Sequence, residues 1–178
     1  MAIKYTSQKN GTTIEDVSFT AKCGYASVNM IGSQFDLSWG PEHLDTVVAD
    51  IEPYKGPKSI GNMIVERFPW AQKIFREHGR LGADFRTYQQ YLISEFPNCN
   101  VYYYASGTWE ELDNYLNMGY AVMLFTDKGK LTKSGHYIVL KRQTAPGVYE
   151  SADPWFGDGK IYKRSELVFN KPYFLVML

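Results

Sequence analysis

Apolar residues recur at helical spacing through the first half of the chain and in alternating or unbroken runs through the last third. That change of period divides the sequence into a helical part and a sheet part. A short extended piece covers residues 2–8, Asn10-Gly11 is a turn signal, and 12–21 reads as loop. Residues 24–35 form a first helix with Val28, Ile31 and Phe35 on one face. Trp39-Gly40-Pro41 breaks it, Pro41 suits a helix start, and 42–51 reads as a second helix. A loop at 53–57 leads to one or two helices over 59–78, interrupted near Pro69. Asp84 can cap a further helix with Phe85, Tyr88, Leu92 and Ile93 inward. After a short strand at 101–104, Thr108 and Glu111 have the spacing of a capping box at the head of a helix over 109–118.

Strands then dominate. Residues 120–125 are an unbroken apolar run suited to a central strand, followed by a turn at Asp127-Lys128-Gly129. Further strands are expected at 136–141, 147–152, 160–162 and 173–178, with a helical turn at 165–167. Asp158-Gly159 has the composition of a hairpin turn. Helices first and an antiparallel sheet afterwards indicate an α+β fold, and nothing along residues 1–178 marks a linker or a repeat, so one domain is expected.

Composition narrows the function. A chain of 178 residues can bury a proper core. Aromatic residues make up 16%, including 14 tyrosines, which favours a packed protein with an aromatic-lined groove over a disordered one. The formal net charge is zero, without the basic excess of a general nucleic-acid binder. No apolar run reaches membrane-spanning length, so no membrane insertion is expected. Residues 1–10 carry no apolar core and no cleavage-site pattern, which reads as a protein that is cytoplasmic as synthesised. A monomer is favoured. The two cysteines, Cys23 and Cys99, do not make a disulfide framework, and both read as reduced.

Cys23 stands where a loop opens into the first helix. Unpaired backbone N–H groups and the positive end of the helix dipole favour a thiolate there. The blander alternative is a buried small hydrophobe, but Lys22 and Gly24 do not look like core neighbours. Cys99, between Asn98 and Asn100, lacks those features and reads as incidental. A thiol nucleophile needs a base, and only three histidines are available. His43 reads as a surface or half-buried residue one turn from Val47, and His78 as a helix-end residue beside Gly79. His136 follows Gly135 at a strand start, which is a rigid mount, with Gly135 allowing close approach of a backbone or a substrate. Pairing of 136–141 with 147–152 in a hairpin brings Asp153 beside His136, although an aspartate before proline is also a common turn residue. Gln8 offers a side-chain amide as a second oxyanion donor beside the Cys23 N–H. No histidine pair or CxxC has metal-ligand spacing, and no cofactor motif is present, so neither metal nor cofactor is expected. The basic stretch from Arg67 to Arg86 reads as a solvated helical face, or as one facing an anionic surface.

Several segments together resemble the C39-like cysteine peptidases, a papain-like family. Tyr5-Thr6-Ser7-Gln8-Lys9 is similar to its N-terminal segment, and Lys22-Cys23-Gly24-Tyr25-Ala26-Ser27-Val28-Asn29-Met30 to its nucleophile helix. The helix–strand unit from Trp109 through Val122 also fits. Gly135-His136-Tyr137-Ile138-Val139-Leu140 and Ala152-Asp153-Pro154-Trp155 are similar to its histidine and aspartate motifs. The order is right over most of the chain. The sequence departs at Tyr25, where the family often has proline or threonine, a difference expected to bear on substrate fit. The resemblance implies a papain-like fold, with a helical part carrying the nucleophile helix against a C-terminal antiparallel sheet. It implies cleavage of a peptide or amide bond by Cys23, with His136 as base, Asp153 as its orienter and Gln8 at the oxyanion. Peptidoglycan peptides are the first-ranked substrate, in the manner of a phage endolysin released by another factor. A protein or leader peptide, an acyl transfer, and a non-catalytic peptide-binding role are the alternatives.

Overall fold

The computed structural model describes residues 2–10, 22–51, 84–133 and 135–178. The loops expected at 12–21 and 53–57, the helices expected over 59–78, His78 and most of the basic stretch lie outside them. Among the described residues the helices are α1 (Cys23–Gly32), α2 (Leu44–Ile51), α3 (Phe85–Glu95), α4 (Trp109–Asn117) and the short α5 (Arg164–Leu167). A 3-10 turn, Pro41–His43, leads into α2. The strands are β1 (Val101–Tyr104), β2 (Val122–Thr126), β3 (His136–Ala145), β4 (Val148–Asp153), β5 (Gly157–Lys163) and β6 (Tyr173–Met177). They form one antiparallel sheet in the order β1-β6-β2-β3-β4-β5. No helix among the described residues is long and apolar enough to cross a membrane.

The central strands are buried on both faces, which explains their unbroken apolar runs. Met123, Val139, Leu175 and Met177 point into a core shared with α1, α2 and α3. Their neighbours Val122, Leu124, Ile138, Leu140, Phe174 and Val176 point into a second core with Leu112 and Leu116 of α4 and Leu167 of α5. The sheet therefore carries helices on both faces, with α4 and α5 opposite the nucleophile helix.

All ten residues of α1 are buried, so this helix has no solvent face, in contrast to the one-faced helix expected over 24–35. It begins at Cys23 and ends at Gly32, where the chain turns before Phe35. Lys22 at its N-cap makes no side-chain cap bond. The missing cap forgoes about 1 kcal/mol, whereas Tyr25, Val28, Met30 and Ile31, all fully buried, each contribute about 1.5–3 kcal/mol. Packing, not capping, holds α1. Its small residues let neighbours close in: a Cβ on Gly24 would meet the Tyr88 hydroxyl at 2.0 Å, and one on Gly32 the Trp39 ring at 2.1 Å.

Where local signals were strong, elements fall where expected. Asp84 caps α3 through Thr87 N–H (2.9 Å), and Thr108 and Glu111 make the full capping box of α4. Four expectations are corrected. Lys22 and Gly24 are core neighbours of Cys23 after all, Lys22 being fully buried with Asp45 Oδ1 at 3.8 Å. Ile93 is exposed, and Tyr91 takes the inward position beside Tyr88 and Leu92. Asp158 and Gly159 lie inside β5, not in a turn. Gly135 serves the fold: its φ is +86°, and its missing Cβ leaves room for the Phe125 ring at 2.4 Å.

Candidate functional site

Cys23, His136 and Asp153 meet where the buried head of α1 reaches the ends of β3 and β4. The register Val139↔Ala152 carries Asp153 past the start of β3, and His136 Nε2 lies 2.7 Å from Asp153 Oδ1. The Cys23 thiol hydrogen-bonds the same imidazole. One ring thus joins thiol to carboxylate, with Asp153 wholly buried and His136 nearly so. Cys99 lies apart in the loop after α3, and no disulfide joins the two cysteines.

Burial alone would depress the His136 pKa, because the charged imidazolium is desolvated. Hydrogen bonds and charge from Asp153 and Cys23 outweigh burial and raise it to about 9. Burial likewise pushes Asp153 up, but the hydrogen bond and charge of His136, with two backbone N–H bonds, bring it below the ordinary carboxylate value. The pairing with Asp153 therefore favours the imidazolium form of His136.

Asp153 is also the turn aspartate that a bland reading of Asp-Pro suggests. Its Oδ1 accepts the N–H groups of Trp155 (2.9 Å) and Phe156 (3.0 Å), closing the bend into β5. The turn bonds and the bond to His136 fall on the same oxygen. Trp155 and Phe156 are exposed beside it. The Phe156 ring stands edge-on to His136 at 6.2 Å, and Lys9 Nζ is 4.6 Å from the Trp155 centroid.

Gln8 reaches this cluster through an extended strap. Thr6 Oγ1 accepts from Asn29 Nδ2 (2.8 Å) and Lys4 N–H donates to Ser33 Oγ (2.8 Å), so the strap runs antiparallel to α1. Tyr5 donates its hydroxyl to the Asp153 carbonyl (3.2 Å), and Ser7 Oγ donates to the Pro154 carbonyl (3.2 Å). Gln8 follows toward the Cys23 end of α1, buried, its own N–H on the same Pro154 carbonyl at 3.0 Å. Tyr25 is fully buried, edge-on to Tyr88, so the departure at this position is a matter of core packing, not of substrate fit. His43 is half-buried and packs tilted against Trp39 at 4.8 Å between centroids.

Tyr162 went unrecognised in the sequence. Its hydroxyl donates to Asp153 Oδ2 at 2.9 Å. Reading Asp158-Gly159 as a turn put β5 out of register and hid this contact. The bend at 154–156 directly after a strand-end aspartate was the signal available.

No protein-family model matches this chain, and no curated protein matches it in sequence. Solved structures similar to this chain include two peptidases. One, described as a C39-like peptidase from Bacillus anthracis, aligns over 57% of this chain and 58% of its own at 18% identity, with a TM-score of 0.39, and adds nothing to the assignment. The other is the peptidase domain of Streptococcus ComA, a bi-functional ABC transporter involved in a quorum-sensing pathway. It aligns over 99% of this chain and 96% of its own with a TM-score of 0.51. At 12% identity that likeness is one of fold: the chain has the papain-like α+β fold of that peptidase domain.

Proposed function

We propose that this protein is a thiol-dependent hydrolase that cleaves a peptide or amide bond. The observation that carries the reading is the His136 imidazole hydrogen-bonded to a helix-start thiol on one side and a buried carboxylate on the other. Cys23 sulfur attacks the carbonyl carbon, and the oxyanion is held by the Cys23 N–H and the Gln8 amide. The C–N bond breaks as the His136 imidazolium gives its proton to the leaving amine. Water, deprotonated by His136, then attacks the thioester carbon and releases the acid and the thiol. Asp153 holds the imidazole in place throughout.

The substrate placed first is the peptide part of bacterial peptidoglycan. What favours it is the surface next to the triad, where exposed Trp155 and Phe156 offer aromatic faces and Lys9 an ammonium. Aromatic faces stack on sugar rings, and an ammonium suits the free carboxylate of a short stem peptide. The test is turbidity loss of purified cell walls with wild type and Cys23→Ala, followed by mass spectrometry of released fragments. Clearing by wild type alone, with new amino termini, is the expected result. If neither clears the walls while iodoacetamide labels Cys23 faster than Cys99, the substrate is a protein peptide instead. Equal labelling of the two cysteines refutes the hydrolase.

A further inference from the structure

The Asp153 carboxylate is held by four donors. Three share Oδ1: His136 Nε2 (2.7 Å), Trp155 N–H (2.9 Å) and Phe156 N–H (3.0 Å). Oδ2 accepts the Tyr162 hydroxyl at 2.9 Å. That contact depends on a β-bulge. Ser151 pairs with Lys160, but Ala152 pairs with Asp158, leaving Gly159 as an extra residue at φ +71°. Paired residues share a face, and adding one residue flips everything beyond it. With the bulge, Tyr162 pairs with Tyr149 and lies on the face of Ser151 and Asp153. Without it, Ile161 would take that place. In the structure Ile161 is exposed and Tyr162 half-buried.

We propose that Tyr162 is a positioning residue of the triad, whose hydroxyl fixes the free oxygen of Asp153 and shares its negative charge, thereby setting how strongly Asp153 holds the His136 imidazolium. This rests on the reading of Cys23, His136 and Asp153 as the catalytic centre. Burial first, and then the Asp153 charge and hydrogen bond, push the Tyr162 pKa up, so the phenol stays a donor across the working range. Among the described residues, the charge of Glu166 also bears on Tyr162. His136 faces Cys23 of α1 and Asp153 of β4, and Asp153 is faced by His136, Tyr162 and the Tyr5 hydroxyl on its own carbonyl. Among the described residues, Oδ2 takes its hydrogen bond from Tyr162.

The experiment follows His136 itself and needs no substrate. The imidazole is titrated by NMR in wild type, in Tyr162→Phe, and with 3-fluorotyrosine installed at position 162. Cys23 alkylation by iodoacetamide is measured across the same pH range. Loss of the hydroxyl leaves the Asp153 charge unshared, so the Tyr162→Phe midpoint should rise by roughly half a pH unit or more. The fluorinated phenol is a stronger donor and should lower it. Opposed shifts support the proposal, because a packing role would move neither midpoint; two unmoved midpoints overturn it. If Tyr162→Phe does not fold, the direction of the fluorotyrosine shift decides alone. A wild-type His136 that titrates identically in Cys23→Ser, with Cys23 labelled no faster than Cys99, refutes the catalytic centre itself and is distinguishable from both results.

Discussion

Asp113 and Asp153 each accept a tyrosine hydroxyl and each pair with a cation, yet only one cluster is equipped for chemistry. Asp113, on α4, accepts Tyr149 Oη–H at 2.7 Å, Gln143 Nε2 at 3.2 Å and the Arg164 guanidinium. Arg164 also donates through Nε to the Tyr149 hydroxyl at 2.8 Å and lies over the Trp109 ring. Asp153 accepts Tyr162 and pairs with His136. Two differences separate them. An arginine keeps its proton at every physiological pH, whereas an imidazole exchanges it. The Asp113 and Arg164 side chains are 17% and 38% exposed, against 0% and 4% for Asp153 and His136. A carboxylate with a phenol and a permanent cation is a clamp. The same carboxylate with a buried, titratable cation next to a thiol can move protons.

The largest expected effects come from breaking the titratable cluster. His136→Ala removes the proton carrier, and turnover should fall by several orders of magnitude, because triad members act as a unit. Asp153→Asn keeps the shape and one acceptor oxygen, so its loss should be smaller. The initial rate on the identified substrate decides the order. An Asp153 variant more damaged than the His136 variant would mean that the carboxylate does more than hold the ring, and the comparison with Asp113 would fail.

A smaller effect is read in the pH profile. In the proposed mechanism the His136 imidazolium supplies the leaving amine's proton, so activity should decline as His136 loses it. Its pKa is raised to about 9, which places the alkaline limb of kcat/KM near that pH as a property of the coupled pair. The sign for stability agrees: a raised histidine stabilises the fold fully below its ordinary value near 6.5, and that contribution is lost as pH rises through about 9. Asp153→Asn should move the limb to lower pH, since the carboxylate that supports the imidazolium is gone. An unmoved limb would leave Cys23 as the sole support.

How much of this could be read from residues alone depended on whether the signal was local. The capping box of Thr108 and Glu111 and the strand Val101–Tyr104 lie where their own residues indicate. The approach of Asp153 to His136 followed from hairpin pairing, which is a short-range consequence of two adjacent strands. Lys22 misled because a lysine at a loop-to-helix junction reads as surface, while tertiary packing buries it beside Asp45 of α2. Ile93 misled because its hydrophobicity was taken for position; Tyr91, at the proper helical spacing, holds the inward place. Asp-Gly composition fits a tight turn and a glycine bulge equally, since both need positive φ. Only the partner strand decides between them, and with it the face on which Tyr162 lies.

The smallest effect concerns the clamp. Asp113→Ala takes away the acceptor of the Tyr149 proton, and Tyr149 is fully buried. Its hydroxyl would keep only the Arg164 Nε–H, a donor, so the phenol proton would be left without an acceptor. Leaving such a group unsatisfied costs about 1–3 kcal/mol, and Arg164, more than a third exposed, recovers solvation easily. The loss should appear in denaturant or thermal unfolding as a fall in Tm of roughly 2–4 °C per kcal/mol. Turnover should stay near wild type, because the proposed mechanism uses no group of this cluster. Arg164→Lys sharpens the point: the charge remains but the Nε–H bond to Tyr149 and the guanidinium contact over the Trp109 ring are lost, so it should cost stability and leave the alkaline limb unmoved. If either substitution shifts that limb, the two clusters are coupled through Tyr149 and Tyr162, which pair across β4 and β5, and the clamp is then part of the site.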